Sequence, residues 1–294
     1  MQTIRIGTRE SKLAVVQAQQ LAAAVEAACP AAAVELVTMK TTGDKILDRT
    51  LDKVGGKGLF VKELDTALLE GRVDFTVHSL KDLPMEEDPR LPIVAVSARA
   101  DVRDVLVLPQ GEENWDRNRP VGCASLRRRG QLEALFPGLR VEPVRGNVLT
   151  RLAKLDRGDY GALVLAAAGL DRLGLSGRIS RYFSTDEILP AACQGILAVQ
   201  ARAGQDCGCL ARFHDETAWR CAQAERAFVR ALDGGCTSPV AAYARLEGDR
   251  LILEGINLAG QRDQIEGRAE DAQALGTQLA QTMGRGEVRT WLEW

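Results

Sequence analysis

Over roughly the first 170 residues the apolar positions switch repeatedly between the period of a strand and that of a helix. Residues 3–7 alternate as a strand. Ser11 can cap a helix whose apolar positions, Leu13, Val16, Leu21 and Val25, run to about Cys29, where Pro30 stops it. A second strand is predicted over 34–38, followed by a polar, glycine-bearing stretch, 40–57, whose length marks it as a functional or mobile loop. A helix from about 59 to 70 is ended by Gly71, and a third strand over 73–77 stops at His78-Ser79-Leu80-Lys81-Asp82-Leu83-Pro84. This β-α-β-α-β order implies a parallel sheet with right-handed crossovers.

After residues 91–97 and a charged stretch at 99–104 the alternation begins again. Strands are predicted over 120–123, 139–144 and 162–166, with helices over 125–136 and 147–156, the latter closed by Gly158. Two α/β units of similar size imply paired lobes with a cleft between them. Ligands of such sheets sit beyond the carboxyl ends of strands, where residues 78–82, 123–125 and 145–147 all fall. The last eighty or so residues differ: a helix over 216–232, strands over 240–246 and 250–258 joined at Glu247-Gly248-Asp249, a third strand near 264–269, and a helix over 272–283. They form a small α+β unit whose first loop, Gly234-Gly235-Cys236-Thr237-Ser238-Pro239, presents a cysteine.

At 294 residues the chain exceeds one typical core. It has no apolar run near the roughly 20 residues of a membrane span, and its start lacks the apolar segment of a signal peptide. Seven cysteines, an odd number without a disulfide-like framework, point to a reducing cytoplasm.

Charge changes the picture more. The net charge is −2, yet residues 120–151 carry six arginines, at 127, 128, 129, 140, 145 and 151, against only Glu133 and Glu142. Concentrated positive charge in a slightly acidic chain suits a site for a small anion. The triplet Arg127-Arg128-Arg129 opens a helix, where guanidinium forks and free N–H groups both favour carboxylates or phosphates. A solvated helix end is the plain alternative. Nucleic acid is another, against which the net acidity and the 4% aromatic content count.

Asp82 would not help bind an anion; it makes sense if positive charge develops during a reaction, with Lys81 helping to keep it ionised. The run Gly55-Gly56-Lys57-Gly58-Leu59-Phe60 lacks phosphate-loop spacing and reads as a flap over the cleft. Cys207, Cys209, His214 and Cys221 match no common zinc spacing, so no metal is expected. Cys236 is either a small buried hydrophobe or, on its Gly-Gly turn, a nucleophile or cofactor anchor.

The strings Gly7-Thr8-Arg9-Glu10-Ser11, Gly55 to Glu63, His78 to Pro84, Ser125-Leu126-Arg127-Arg128, Arg145-Gly146-Asn147 and Gly234-Gly235-Cys236 together resemble the porphobilinogen deaminase (hydroxymethylbilane synthase) family, in its order and over essentially the whole chain. The resemblance implies an α/β fold: two lobes like type II periplasmic binding proteins, spanning 1–98 with 196–214 and 99–195, and an α+β domain over 215–294. It implies a dipyrromethane cofactor in thioether linkage to Cys236. The implied reaction joins four porphobilinogens head to tail with loss of ammonia, and water then releases 1-hydroxymethylbilane.

By the same resemblance Asp82 is the catalytic residue. Lys81, Asp82, Ser79, Ser125, Arg127, Arg128 and Gly146 join Cys236 at the cofactor. Arg9, Ser11, Lys57, Phe60, Arg145, Arg151, Arg172 and Gln194 bind substrate. Each pyrrole carries an acetate and a propionate, which accounts for the arginines. A cytoplasmic monomer with no nucleic-acid or membrane partner is implied. Two hydroxyl positions of the family's pattern are here Cys123 and Ala124, and its glycine before Gln194-Gly195 is Cys193. The rival readings are a non-catalytic two-lobed anion-binding protein and an inactive homologue.

Overall fold

The computed structural model describes residues 3–45, 61–235, 238–284 and 286. Strands β1 (Thr3–Arg9), β2 (Ala33–Met39), β3 (Phe75–Ser79) and β4 (Ile93–Val96) lie in a first five-stranded sheet. Helices α1 (Lys12–Ala28) and α2 (Lys62–Leu69) belong to the same unit. A second five-stranded sheet contains β5 (Asp104–Val107), β6 (Val121–Cys123), β7 (Val141–Pro143), β8 (Ala162–Ala166) and β9 (Arg181–Tyr182), with helices α3 (Leu126–Leu135), α4 (Val148–Asp156) and α5 (Ala167–Arg172). The chain then returns as β10 (Leu197–Gln200) to the first sheet. A third unit follows, with α6 (Glu216–Ala231), the antiparallel strands β11 (Ala241–Glu247), β12 (Arg250–Ile256) and β13 (Arg262–Arg268), and α7 (Ala272–Met283).

The expectation of parallel sheets needs correction. The strand orders are β2-β1-β3-β10-β4 and β7-β6-β8-β5-β9, and in each the fourth strand runs antiparallel to both neighbours. That strand is supplied from across the molecule: β10 follows the second sheet, and β5 precedes its βαβαβ unit. Neither was predicted. Both are four-residue runs buried on both faces, without the alternation that marks a half-buried strand. Most other boundaries moved by one or two residues; the helix expected from about 59 begins at Lys62, with 59 and 60 outside the described residues, and β3 begins at Phe75 rather than at Val73, whose N–H closes the preceding turn on Ala67.

Side-chain alternation explains the core. In the second sheet Val105, Val107, Leu163 and Leu165 face one hydrophobic cluster and Leu106, Leu108, Ala162 and Val164 the opposite one. In α1 the buried stripe is Ala14, Gln17, Ala18, Leu21 and Val25. Leu13 and Val16, expected inside, are only half-buried because the stripe is turned toward the smaller alanines. Ser11 does cap α1, accepting from the Ala14 N–H at 3.3 Å.

The third unit shares its core with the first. Leu80, Leu83, Val96, Ile196 and Ala198 belong to one cluster with Phe228 and Val229 of α6 and Leu251 and Leu253 of β12. Two adjacent residues of α6 reinforce this contact. Glu225, fully buried, takes both Arg99 (2.7 and 2.8 Å) and the backbone N–H groups of Cys193 and Ala244. Arg226 donates to the carbonyls of Pro84 and Met85 and pairs with Glu87. Arg99 and Cys193 lie on the two connections between the sheets, so Glu225 ties both to the third unit.

Among the described residues no helix is long and apolar enough to cross a membrane. Substituting Glu225→Ala strands the Arg99 guanidinium and two backbone donors in the core. Loss of one partner of a buried pair costs about 3–5 kcal/mol, which should appear as a fall of that size in the urea-unfolding free energy; a loss below about 1 kcal/mol would show that the pair behaves as if solvated.

Candidate functional site

Strand ends and helix starts from both five-stranded sheets open onto one cleft of about 910 Å³, toward the upper end for small-molecule sites. Among the described residues eight cationic side chains line it: Arg9, Lys40, Lys81, Arg127, Arg128, Arg145, Arg151 and Arg172. Among the same residues the lining acids are Glu10 and Asp82, and Glu10 is 3.7 Å from Lys40. Ser11, Ser79, Ser125, Gly146 and Gln194 complete the expected set on this surface. Lys57, Phe60 and Cys236 lie outside the described residues. Gly235 and Ser238, on either side of positions 236 and 237, do line the cleft.

Asp82 is presented by a short 3₁₀ turn, Leu80–Asp82, that ends β3. Leu80 and Leu83 are buried on one side of this turn, and the Leu83 N–H closes it on the Leu80 carbonyl at 3.2 Å. Their burial leaves Asp82 exposed to the cleft and Lys81 half-buried beside it. Lys81 Nζ donates to Gln194 Oε1 at 3.1 Å. Burial pushes the Lys81 ammonium down to about 8; Asp82 and Asp104 oppose that fall, whereas Arg128 and Arg127 add to it. His78, behind the turn, is held neutral by burial and then by Arg9, its pKa lowered to about 3.

The arginines divide by role. Arg127 and Arg128 are both buried and share the fully buried Asp104, at 2.7 Å each. Burial alone would raise the Asp104 carboxyl, but the two guanidiniums hold it well below the usual carboxylate range. Arg127 also donates to the Leu189 carbonyl and Arg128 to that of Val164. Arg127 Nε is buried with no hydrogen-bond partner among the described residues.

Arg151, anchored through Nε to the Gly146 carbonyl at 2.7 Å, is lowered to about 10 by burial and then by the like charge of Arg128 and Arg145. Gly146 has φ +109°, and a Cβ there would meet the Thr150 side chain at 2.6 Å, so the turn that brings Arg145 and Arg151 to the cleft favours glycine. Arg172 Nη2 donates to the Gly195 carbonyl at 2.7 Å. Arg129 and Arg140, counted with the positive stretch, point elsewhere and pair with Glu133 and Glu142.

Three contributors were not anticipated. Asp104 neutralises part of the arginine cluster; its only signal was an acid heading an otherwise apolar run. Gln17, on the buried face of α1, donates to Ser79 Oγ at 3.0 Å. Leu13 lines the cleft and lies within reach of Gly169 in α5 of the opposite lobe. Cys123 is buried, donating to the Ser125 carbonyl, and burial raises its thiol. Ala124 does reach the cleft. Among the described residues no three His, Cys, Asp or Glu side chains are grouped to hold a metal. Cys207 and Cys209 instead pack on the first sheet's core, and the His214 ring accepts from the Val96 N–H.

Two family models match the chain: porphobilinogen deaminase, dipyromethane cofactor binding domain, over residues 4–207, and porphobilinogen deaminase, C-terminal domain, over residues 219–285. A porphobilinogen deaminase of Acetivibrio thermocellus is 58% identical, covering 96% of this chain and 98% of the relative. One from Alkaliphilus oremlandii is 55% identical, covering 97% and 98%. The effector-binding domain of BenM, solved with benzoate, aligns at a TM-score of 0.43 and 16% identity over 72% of this chain and 88% of that one.

The Asp104 cluster makes a pH-dependent prediction. A carboxyl whose folded pKa lies below its unfolded value of about 4 stabilises fully above that pH and progressively less as acid is added. Asp104→Asn should therefore be about 3–5 kcal/mol less stable than the parent near neutrality. In urea unfolding the deficit should shrink below about pH 4; a deficit independent of pH would remove the carboxylate's charge from the account.

Proposed function

The chain belongs to the porphobilinogen deaminase family, and we propose that the cleft between its five-stranded sheets is where the condensation takes place, with Asp82 as its catalytic carboxylate. The enzyme is a hydroxymethylbilane synthase, a transferase that joins four porphobilinogens head to tail, releases one ammonia for each, and frees the linear tetrapyrrole with water. The observation that carries the site assignment is the gathering, among the described residues, of eight cations around a cleft whose two lining acids are Asp82 and Glu10, the latter 3.7 Å from Lys40.

A substrate with an acetate and a propionate on every ring is drawn to such a surface, and each added ring brings two more carboxylates. Arg9, Arg145, Arg151 and Arg172 bind these groups in this reading, with Ser11 donating to them, while Arg127, Arg128, Lys81, Ser79, Ser125 and the Gly146 turn hold the cofactor. Lys57 and Phe60 act on the substrate from the 40–60 stretch. The residues fit a polyanionic dipyrromethane: the orphan Nε of Arg127 is a buried donor beside the cleft, and Gly235 and Ser238 bring the chain flanking Cys236 to the same wall. When bound, that group supplies the pyrrole carbon to which the first substrate is joined.

As the amine leaves, positive charge develops on the substrate ring, and coupling leaves a ring proton to be removed. The Asp82 carboxylate stabilises the first and takes part in moving the second. The buried pair of guanidiniums cannot do this, because their charge has the wrong sign. They hold carboxylates, and Asp104 limits their mutual repulsion to what one net charge imposes.

The same reading divides the chain into lobes at 1–98 with 196–214 and at 99–195, and a cofactor-bearing domain at 215–294. It makes the protein a cytoplasmic monomer with no nucleic-acid or membrane partner, which cell fractionation and sedimentation check.

Intact mass tests the cofactor. The parent should carry the mass of two porphobilinogens less two ammonias, and Cys236→Ser should lack it. A parent that gains no such mass even after incubation with porphobilinogen would instead be a two-lobed binding protein. Asp82→Asn should keep the added mass while turnover falls by about 10²–10⁴-fold, the usual contribution of a positioned acid or base. Loss of less than about tenfold would move the catalytic role to another group.

A further inference from the structure

Gln194 is 1% exposed and uses both ends of its amide. Nε2 donates to the Val102 carbonyl at 2.7 Å and to Asp104 at 2.9 Å, and Oε1 accepts from Lys81 at 3.1 Å. Two of these partners only accept and the third only donates, so the amide has one possible orientation. The partners come from different parts of the chain. Val102 and Asp104 lie where it enters the second sheet, Lys81 lies on the turn beside Asp82, and Gln194 lies on the return to the first sheet.

The backbone on either side is held as well. The Cys193 N–H donates to Glu225, and the Gly195 carbonyl accepts from Arg172. Gly195 has φ +91°, and a Cβ there would meet the Ala100 carbonyl at 2.6 Å, which keeps the two connections in contact. Gln194 has little freedom to turn toward a ligand.

We propose that Gln194 is a positioning residue for the condensation: it ties the Lys81 ammonium, beside Asp82, to the buried Asp104–Arg127–Arg128 cluster of the opposite lobe. This deepens the site reading above and rests on it. Among the described residues the charged groups facing Lys81 are Asp82 on its own turn, Arg127 and Arg128 from α3 and Asp104 from β5. Burial and the two guanidiniums both favour loss of the Lys81 proton, and the Gln194 oxygen opposes them by accepting from the charged form. The lobes are thereby held in register through a group whose charge depends on that register.

Competitive acylation of Lys81 by acetic anhydride across the lysine titration range, read by peptide mass spectrometry, reports its charge whether or not the enzyme turns over. In Gln194→Ala the midpoint should fall by about one unit, and in Gln194→Glu it should rise. The alkaline limb of kcat/KM should move in the same direction. In a Lys81→Arg, Gln194→Ala double variant that limb should no longer move. Gln194→Glu also serves if the alanine variant does not fold. An unmoved midpoint in every folded variant overturns the proposal, as does a raised KM with an unmoved limb, which returns Gln194 to a plain substrate contact. A shifted midpoint in a parent that never turns over supports the tie and defeats the condensation reading instead.

Discussion

A carboxylate with no exposed surface sits between two buried guanidiniums, and the rest of the cleft is arranged around that fact. Two adjacent arginines on one helix would repel each other and remain solvated. With Asp104 bonded to both, they are buried at the ends of their stems with one net positive charge. The desolvation cost of burying charge is met by hydrogen bonds to two carbonyls as well as by the ion pairs. A pre-organised cation needs no rearrangement when an anion arrives, which is how a fixed electrostatic environment favours a charged reaction. Arg145 and Arg151, on either side of the Gly146 turn, add further positive charge to the cleft.

The second organising contact is Glu225. Each lobe of a two-lobed protein can move on the connections that join it to its partner. Here both connections are bonded to one side chain of a third unit, and the neighbouring Arg226 holds the loop that follows Asp82. The unit that carries the Cys236 loop is therefore docked to the segment that presents Asp82. A shared hydrophobic cluster under Leu80 and Leu83 makes that docking continuous with the core.

Much of the cleft's lining was legible because it consists of charged and hydroxyl-bearing residues at strand ends and helix starts. Lys81, Asp82, Ser125, Arg127 and Arg145 follow directly from such positions, and helices α4 and α7 and strand β8 fall where their periodicity places them. What was hidden depends on partners distant in the chain. Asp104 reads as one acid among several in a charged stretch until Arg127 and Arg128, some twenty residues on, are seen to converge on it. Gln17 belongs to a helix whose alanines, rather than its larger residues, face inward. The antiparallel strands β5 and β10 are short apolar runs whose pairing is decided by topology, not by local pattern.

The exchange of these two strands also sets an order on the protein's synthesis. The second sheet has all its strands once the chain has passed Tyr182, but the first, although begun earlier, lacks the strand between β3 and β4 until Gln200 is made. At about 5–20 residues per second, β4 waits roughly 5–20 s for the neighbour that completes its sheet. During that interval the nascent amino-terminal half presents two open strand edges, and the ribosome must finish the later lobe before the earlier one can close.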